Sequence, residues 1–172
     1  GVKAVLAKML RMSERGEFRF FSYRRPMPVE GARRTAMISL VIDAAYLRHY
    51  LGGWDSVRFG ADSEFIDRLI KVSGNNVRRI EHISLFCLDL ETSLTNHPRH
   101  GIPKAKGSSP IRAQYRKAFS KWHMRIREDD AKIPFPDSHR YYAIPAAMKV
   151  PDAAIRQNLD AHILQVDSQR RV

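Results

Sequence analysis

"GGWDSVRFGADSEFIDRL", Gly52 to Leu69, crosses from a glycine pair through an aromatic and charged loop into an amphipathic stretch. Phe65, Ile66, Leu69, Ile70 and Val72 recur at helical spacing, which predicts a helix over residues 62–73 with Gly74 as its stop. Asp62 follows Gly60-Ala61 in the position of an N-cap, where its side chain can accept from free N–H groups of the first turn. Glu64 falls inside that turn, where the helix dipole favours negative charge. Capping accounts for both carboxylates. A fixed carboxylate is also what acid–base chemistry needs, so the neighbouring sequence has to separate the two readings.

Upstream, "TAMISLVID" (35–43) is short, apolar and β-branched, and reads as a strand. It runs into "AAYLRHYLGG" (44–53), a short helix closed by Gly52. Downstream, "NVRRIEHISLFCLDL" (76–90) alternates loosely, as one or two strands do. A further helix begins at Pro110 with Ser108 or Ser109 as its cap. It carries Ile111, Tyr115, Ala118, Phe119 and Trp122 on one face and basic residues on the other, and the aromatic face reads as core.

At the start of the chain, Val2, Val5, Leu6, Met9 and Leu10 sit at helical spacing and predict a helix over 2–14, stopped by Gly16. "EFRFFSY" (17–23) reads as extended, and "RRPMPVEGARR" (24–34) as a loop. Residues 91–110, "ETSLTNHPRHGIPKAKGSSP", are turn-rich without an apolar period, and long segments of that kind are often functional. "DDAKIPFPDSHRYYAIPAAMKVP" (129–151) is punctuated by proline and reads as a linker. The expected class is mixed α/β.

Composition sets outer bounds. The chain has 172 residues, 44% of them hydrophobic, enough for one domain with a sizeable core. No apolar run is long enough to span a bilayer. Cys87 is the single cysteine, so no intramolecular disulfide can form; the thiol lies in an apolar run and is compatible with a reducing cytoplasm. The net charge of +12 invites a polyanionic partner, though the basic residues fall as scattered pairs and singles rather than one block. Phosphate-loop, CxxC, HExxH and GxSxG patterns are all absent. His97 and His100 share the irregular loop without a nearby third ligand, which is too little for a metal site.

The order of segments around Asp62 is more specific. "LGGWDSVRFGADSEFIDRL" resembles the signature of family-2 glycosyltransferases of the GT-A fold, in which a glycine-aromatic-acidic turn precedes an acidic segment ending in Phe and then an Arg-Leu pair. "ISLVIDAAYLRHYLGGWD" is similar to the strand and short helix that precede it, and "SLT" (93–95) with "RAQYRKAFSKWH" is similar to a bacterial subgroup. The resemblance spans residues 36–123 and is tightest over 51–69. It implies that Asp62 is the base that deprotonates the acceptor hydroxyl. Trp54 and Asp55 would line the acceptor pocket, with Glu64 and Phe65 steadying it. Ala61 departs from the pattern, since many members have Glu there, and any acceptor contact made by that Glu is missing.

An inverting transferase needs a carboxylate to take the proton as the acceptor oxygen attacks the anomeric carbon opposite the leaving nucleotide diphosphate. The family's donor half and its metal-binding Asp-x-Asp do not occur in this sequence. A nucleotide-sugar donor and a divalent metal, Mg or Mn, are therefore implied for a parent protein with its main ligands upstream. Arg99, His97 and His100 are candidates for a donor phosphate. The expected organisation is an acceptor-side portion of a GT-A domain over 1–127, a partial mixed sheet with flanking helices, followed by a linker and the start of a further domain over 128–172. The resemblance and the lone thiol point to the cytoplasm, where nucleotide sugars are made. The basic surface suits an anionic glycan or glycan-lipid acceptor, or a membrane face. The rival reading is a non-catalytic basic module that binds nucleic acid: it explains the charge more directly and leaves the order of the motifs unexplained.

Overall fold

The computed structural model describes residues 1–19, 28–29, 33–90, 92–93, 96, 109–134, 141–157 and 160. Among these the fold is mixed α/β. Strand β1 (Ala4–Met12) is central, with β4 (Val77–Leu88) parallel to it on one side. Two short strands, β2 (Arg33–Thr35) and β3 (Val41–Ile42), lie end to end and antiparallel along its other side. Helix α1 (Ala44–Tyr46) continues as a π-helical turn, Leu47–Leu51. Helix α2 spans Ala61–Ser73 and α3 spans Pro110–His123.

The helix expected over 2–14 is this central strand. Its residues are good helix formers, and its apolar positions fit a helical period as well as an alternating one. Ala4, Leu6 and Leu10 are buried, and pairing on both sides overrides the local preference. Gly16 ends no helix. It takes φ +82° in a tight turn where Ser13 N–H donates to no near neighbour but to the Glu17 carbonyl, bringing Phe18 back beside Met12.

The single strand expected over 35–43 is split. A 3₁₀ turn at Met37–Ser39 separates β2 from β3, and Ser39 Oγ accepts from Ala7 N–H at 2.8 Å while donating to the Ala36 carbonyl at 2.7 Å. A side chain thus replaces one rung of the ladder, and both short strands stay on the same edge of β1.

Helix α2 lays Phe65, Ile66 and Leu69 against Ala4 and Leu6 of the sheet and against Tyr46 and Leu51. It enters β4 through the short turn Gly74–Asn76. Its amino end is therefore directed back toward the carboxyl ends of the parallel pair. A second cluster joins Phe59, Tyr115, Phe119 and Met148. Through it and through Ile133, the segment after residue 128 packs on the same body. Ile133 N–H donates to the Leu51 carbonyl at 2.9 Å, Gly53 N–H donates to the Ile133 carbonyl at 2.7 Å, and Arg58 N–H donates to the Met148 carbonyl at 3.0 Å. Glycine is required at residue 52 for this: its φ is +69°, and a Cβ there would stand 1.9 Å from the Ile133 oxygen.

Candidate functional site

The loop from Gly52 to Gly60 and the first turns of α2 form the candidate site. Gly60 is the N-cap residue, in the left-handed region at φ +85°, and no side chain caps the helix. Asp62, expected at that cap, is instead the second residue of α2 and is exposed. Its carboxylate is not spent on capping.

Trp54 lies over Phe65, with ring centroids 4.0 Å apart and planes within 7°, and is 45% exposed. Phe65 is three residues on from Asp62 and therefore on the same side of the helix. The exposed indole thus rests on a residue one helical turn from the exposed carboxylate.

The other two acidic residues of the stretch face inward. Asp55 is buried and accepts from Tyr115 Oη at 2.8 Å and Tyr142 Oη at 2.9 Å, both at Oδ2. Burial pushes the Tyr115 hydroxyl well above the usual tyrosine range, and its neighbour Tyr142 adds to the shift, so Tyr115 remains a donor.

Glu64 is wholly enclosed. Arg68 reaches it with two bonds, Nε to Oε1 at 2.8 Å and Nη2 to Oε2 at 3.1 Å, and His123 Nε2 lies 2.9 Å from Oε1. Arg68 spends its other donors on three carbonyls: Nη1 on Leu51 and on Ala131 at 3.0 Å, Nη2 on Gly53 at 2.9 Å. This cluster ties α2, the Gly-Gly-Trp turn, the end of α3 and the Ala131–Ile133 strap together. Asp55, expected to line an acceptor pocket, and Glu64, expected to steady and contact it, both make interior bonds around the loop that carries Trp54.

Arg112, from the first turn of α3, lies over the Phe59 ring at 4.9 Å. Burial lowers the pKa of its guanidinium, and the nearby Asp62 carboxylate opposes that shift. Sequence reasoning missed Arg112 because only the fold brings α3 to the loop before α2. It missed the roles of Arg68 and His123 as well, although the i,i+4 spacing of Glu64 and Arg68 was a usable signal.

A cleft of about 560 Å³ opens at the carboxyl ends of β1 and β4, between Ser13, Arg15, Arg19, Asp89 and Thr92. Asp89, in its lining, pairs through Oδ1 with Arg11 Nη2 at 2.7 Å and accepts from Asn96 Nδ2 at 3.0 Å. The carboxyl ends of parallel strands are where open α/β sheets receive ligands. His97, Arg99 and His100 lie outside the described residues. Among the described residues no three metal-ligating side chains converge, and no helix is long and apolar enough to cross a membrane. Asp89 is occupied by Arg11 and Asn96, so the described residues do not make up a metal-binding set. Comparison with protein-family models and with curated proteins finds no match for this chain.

Proposed function

We propose that this chain is the acceptor-side portion of an inverting glycosyltransferase related to the family-2 GT-A enzymes, and that Asp62 is its general base. The observation that carries the reading is the exposed Asp62 carboxylate one turn of α2 from Phe65, on which the exposed Trp54 ring stacks. Aromatic faces suit the C–H face of a pyranose, and a carboxylate beside such a platform can take the proton of a bound hydroxyl. As the second residue of the helix, Asp62 also sits where the dipole favours the ionised form that a base must have.

In support of this reading, Gly60 rather than Asp62 is the N-cap residue of α2, and the helix start carries no side-chain cap. Glu64, Arg68, His123 and Asp55 hold the turn rigid, which matters because a base of modest strength depends on geometry for its effect. The cleft at the strand ends, with Arg15, Arg19 and Thr92 in its lining, offers cationic and hydroxyl groups that suit an anionic group, while the main donor-binding region is expected in the parent protein. The metal that the resemblance implies belongs to the parent protein, and no step of the proton transfer runs through it.

In the full-length parent, Asp62→Asn should abolish sugar transfer while donor affinity stays within a factor of two or so of wild type. Transfer that survives the substitution would refute the base assignment.

A further inference from the structure

We infer that the stacked pair Trp122–Tyr141 is a second sugar platform continuous with Trp54, and that the acceptor is a chain of several pyranose units. The inference rests on the acceptor reading of the Trp54–Asp62 site. Helix α3 buries Tyr115 and Phe119 but leaves Trp122, in its last turn, only half-buried. The indole stacks on Tyr141 with centroids 5.0 Å apart and planes within 13°, and Tyr141 is 41% exposed. Tyr142 and His123 brace the indole from other sides, at 5.4 Å and 5.2 Å. The result is an aromatic surface at the solvent boundary, which Tyr142 links to the cluster around Phe119.

Direct contacts connect this surface to the first platform. Tyr141 Oη donates to the Lys132 carbonyl at 3.4 Å. The next residue, Ile133, is bonded to Leu51 and Gly53 on either side of Gly52, and Gly53 precedes Trp54. Both ring systems are therefore tied to one strap, in which Lys132 is exposed. A sugar offers a C–H face to an aromatic ring and hydroxyls at its edge to an ammonium donor. A single pyranose stacks on one ring system at a time, so a ligand that engages both platforms has to carry several pyranose units.

The sequence has two tryptophans, one on each platform, so intrinsic fluorescence reports both sites. The test is a titration of the chain with pyranose oligosaccharides of increasing length, drawn from the members of an immobilised glycan array that retain it. Affinity should rise on the order of tenfold from disaccharide to pentasaccharide, as one added aromatic contact would give. Tyr141→Ala should erase that gain and keep binding of the short ligand, and Tyr141→Phe should keep the gain. Length dependence unchanged in both Tyr141→Ala and Trp122→Leu would overturn the inference, as would retention of no pyranose chain or tighter binding of oligo-dT than of any glycan. A gain lost in Tyr141→Ala but retained in Trp54→Ala would uphold the platform and sink the acceptor reading of Trp54. Short-ligand binding that needs Trp54 but gains nothing from length would do the reverse.

Discussion

At the residue scale, the two carboxylates of the opening stretch have separate fates. Asp62 is exposed and bears no cap, whereas Ser109 does cap its helix, accepting from Arg112 N–H. Ser109→Ala should therefore cost about 1 kcal/mol in urea unfolding. Asp62→Asn should stay within about 0.5 kcal/mol, the range of an exposed substitution. Equal losses at the two positions would restore capping as the role of Asp62.

Tyr115 gives a pH prediction. Its hydroxyl is raised above the ordinary value of 10.0 by burial, so the folded state keeps the proton that the unfolded chain releases. Its contribution is complete below pH 10 and is lost as pH rises beyond that, at about 1.4 kcal/mol per pH unit. Urea midpoints between roughly pH 8 and 11 should show that decline. In Tyr115→Phe the curve should start lower and fall less steeply, and an equal slope in the two proteins would reject the assignment.

At the scale of elements, α2 and α3 are legible because each pairs an apolar stripe with clear termini. Strand β4 is legible from its β-branched alternation. Strand β1 was hidden because "VKAVLAKMLRM" satisfies two periods at once, and only its partners on both sides choose between them. The candidate site was legible where it depends on local order, as at Trp54 and Asp62. It was illegible where it depends on closure over long separations: His123 reaches Glu64 across 59 residues and Tyr115 reaches Asp55 across 60.

The Glu64–Arg68–His123 cluster is also where an element can fail as a unit. Arg68→Met should cost about 3–5 kcal/mol, because it leaves a buried carboxylate without its main partner. Adding Glu64→Leu to that variant should recover much of the loss, since an apolar pair of similar volume avoids the desolvation of two charges. A double variant no more stable than Arg68→Met would mean that the carbonyl bonds of Arg68, rather than its charge, hold the element.

At the scale of the whole molecule, the net charge is +12, and several of the described basic residues lie on outward faces. Arg116, Lys117 and Lys121 lie on the exposed side of α3, and Arg78 and Arg79 on β4. Such groups attract an anionic partner from a distance that salt shortens to about 10 Å at 0.1 M. Affinity for a uronic-acid oligosaccharide should thus fall steeply as ionic strength rises. A flat response would remove charge from the account of acceptor choice.

The strap at Ala131–Ile133 bears on what counts as a self-sufficient folding unit. A boundary drawn at residue 128, where proline begins to punctuate the sequence, would amputate the Ala131 carbonyl from Arg68, Ile133 from the glycine turn and Met148 from the cluster around Phe119. Three separate patches of the interior would be laid open by one cut in a segment that looks like tether. The smallest piece expected to hold its shape therefore runs past Met148, and the tether is the last course of the wall.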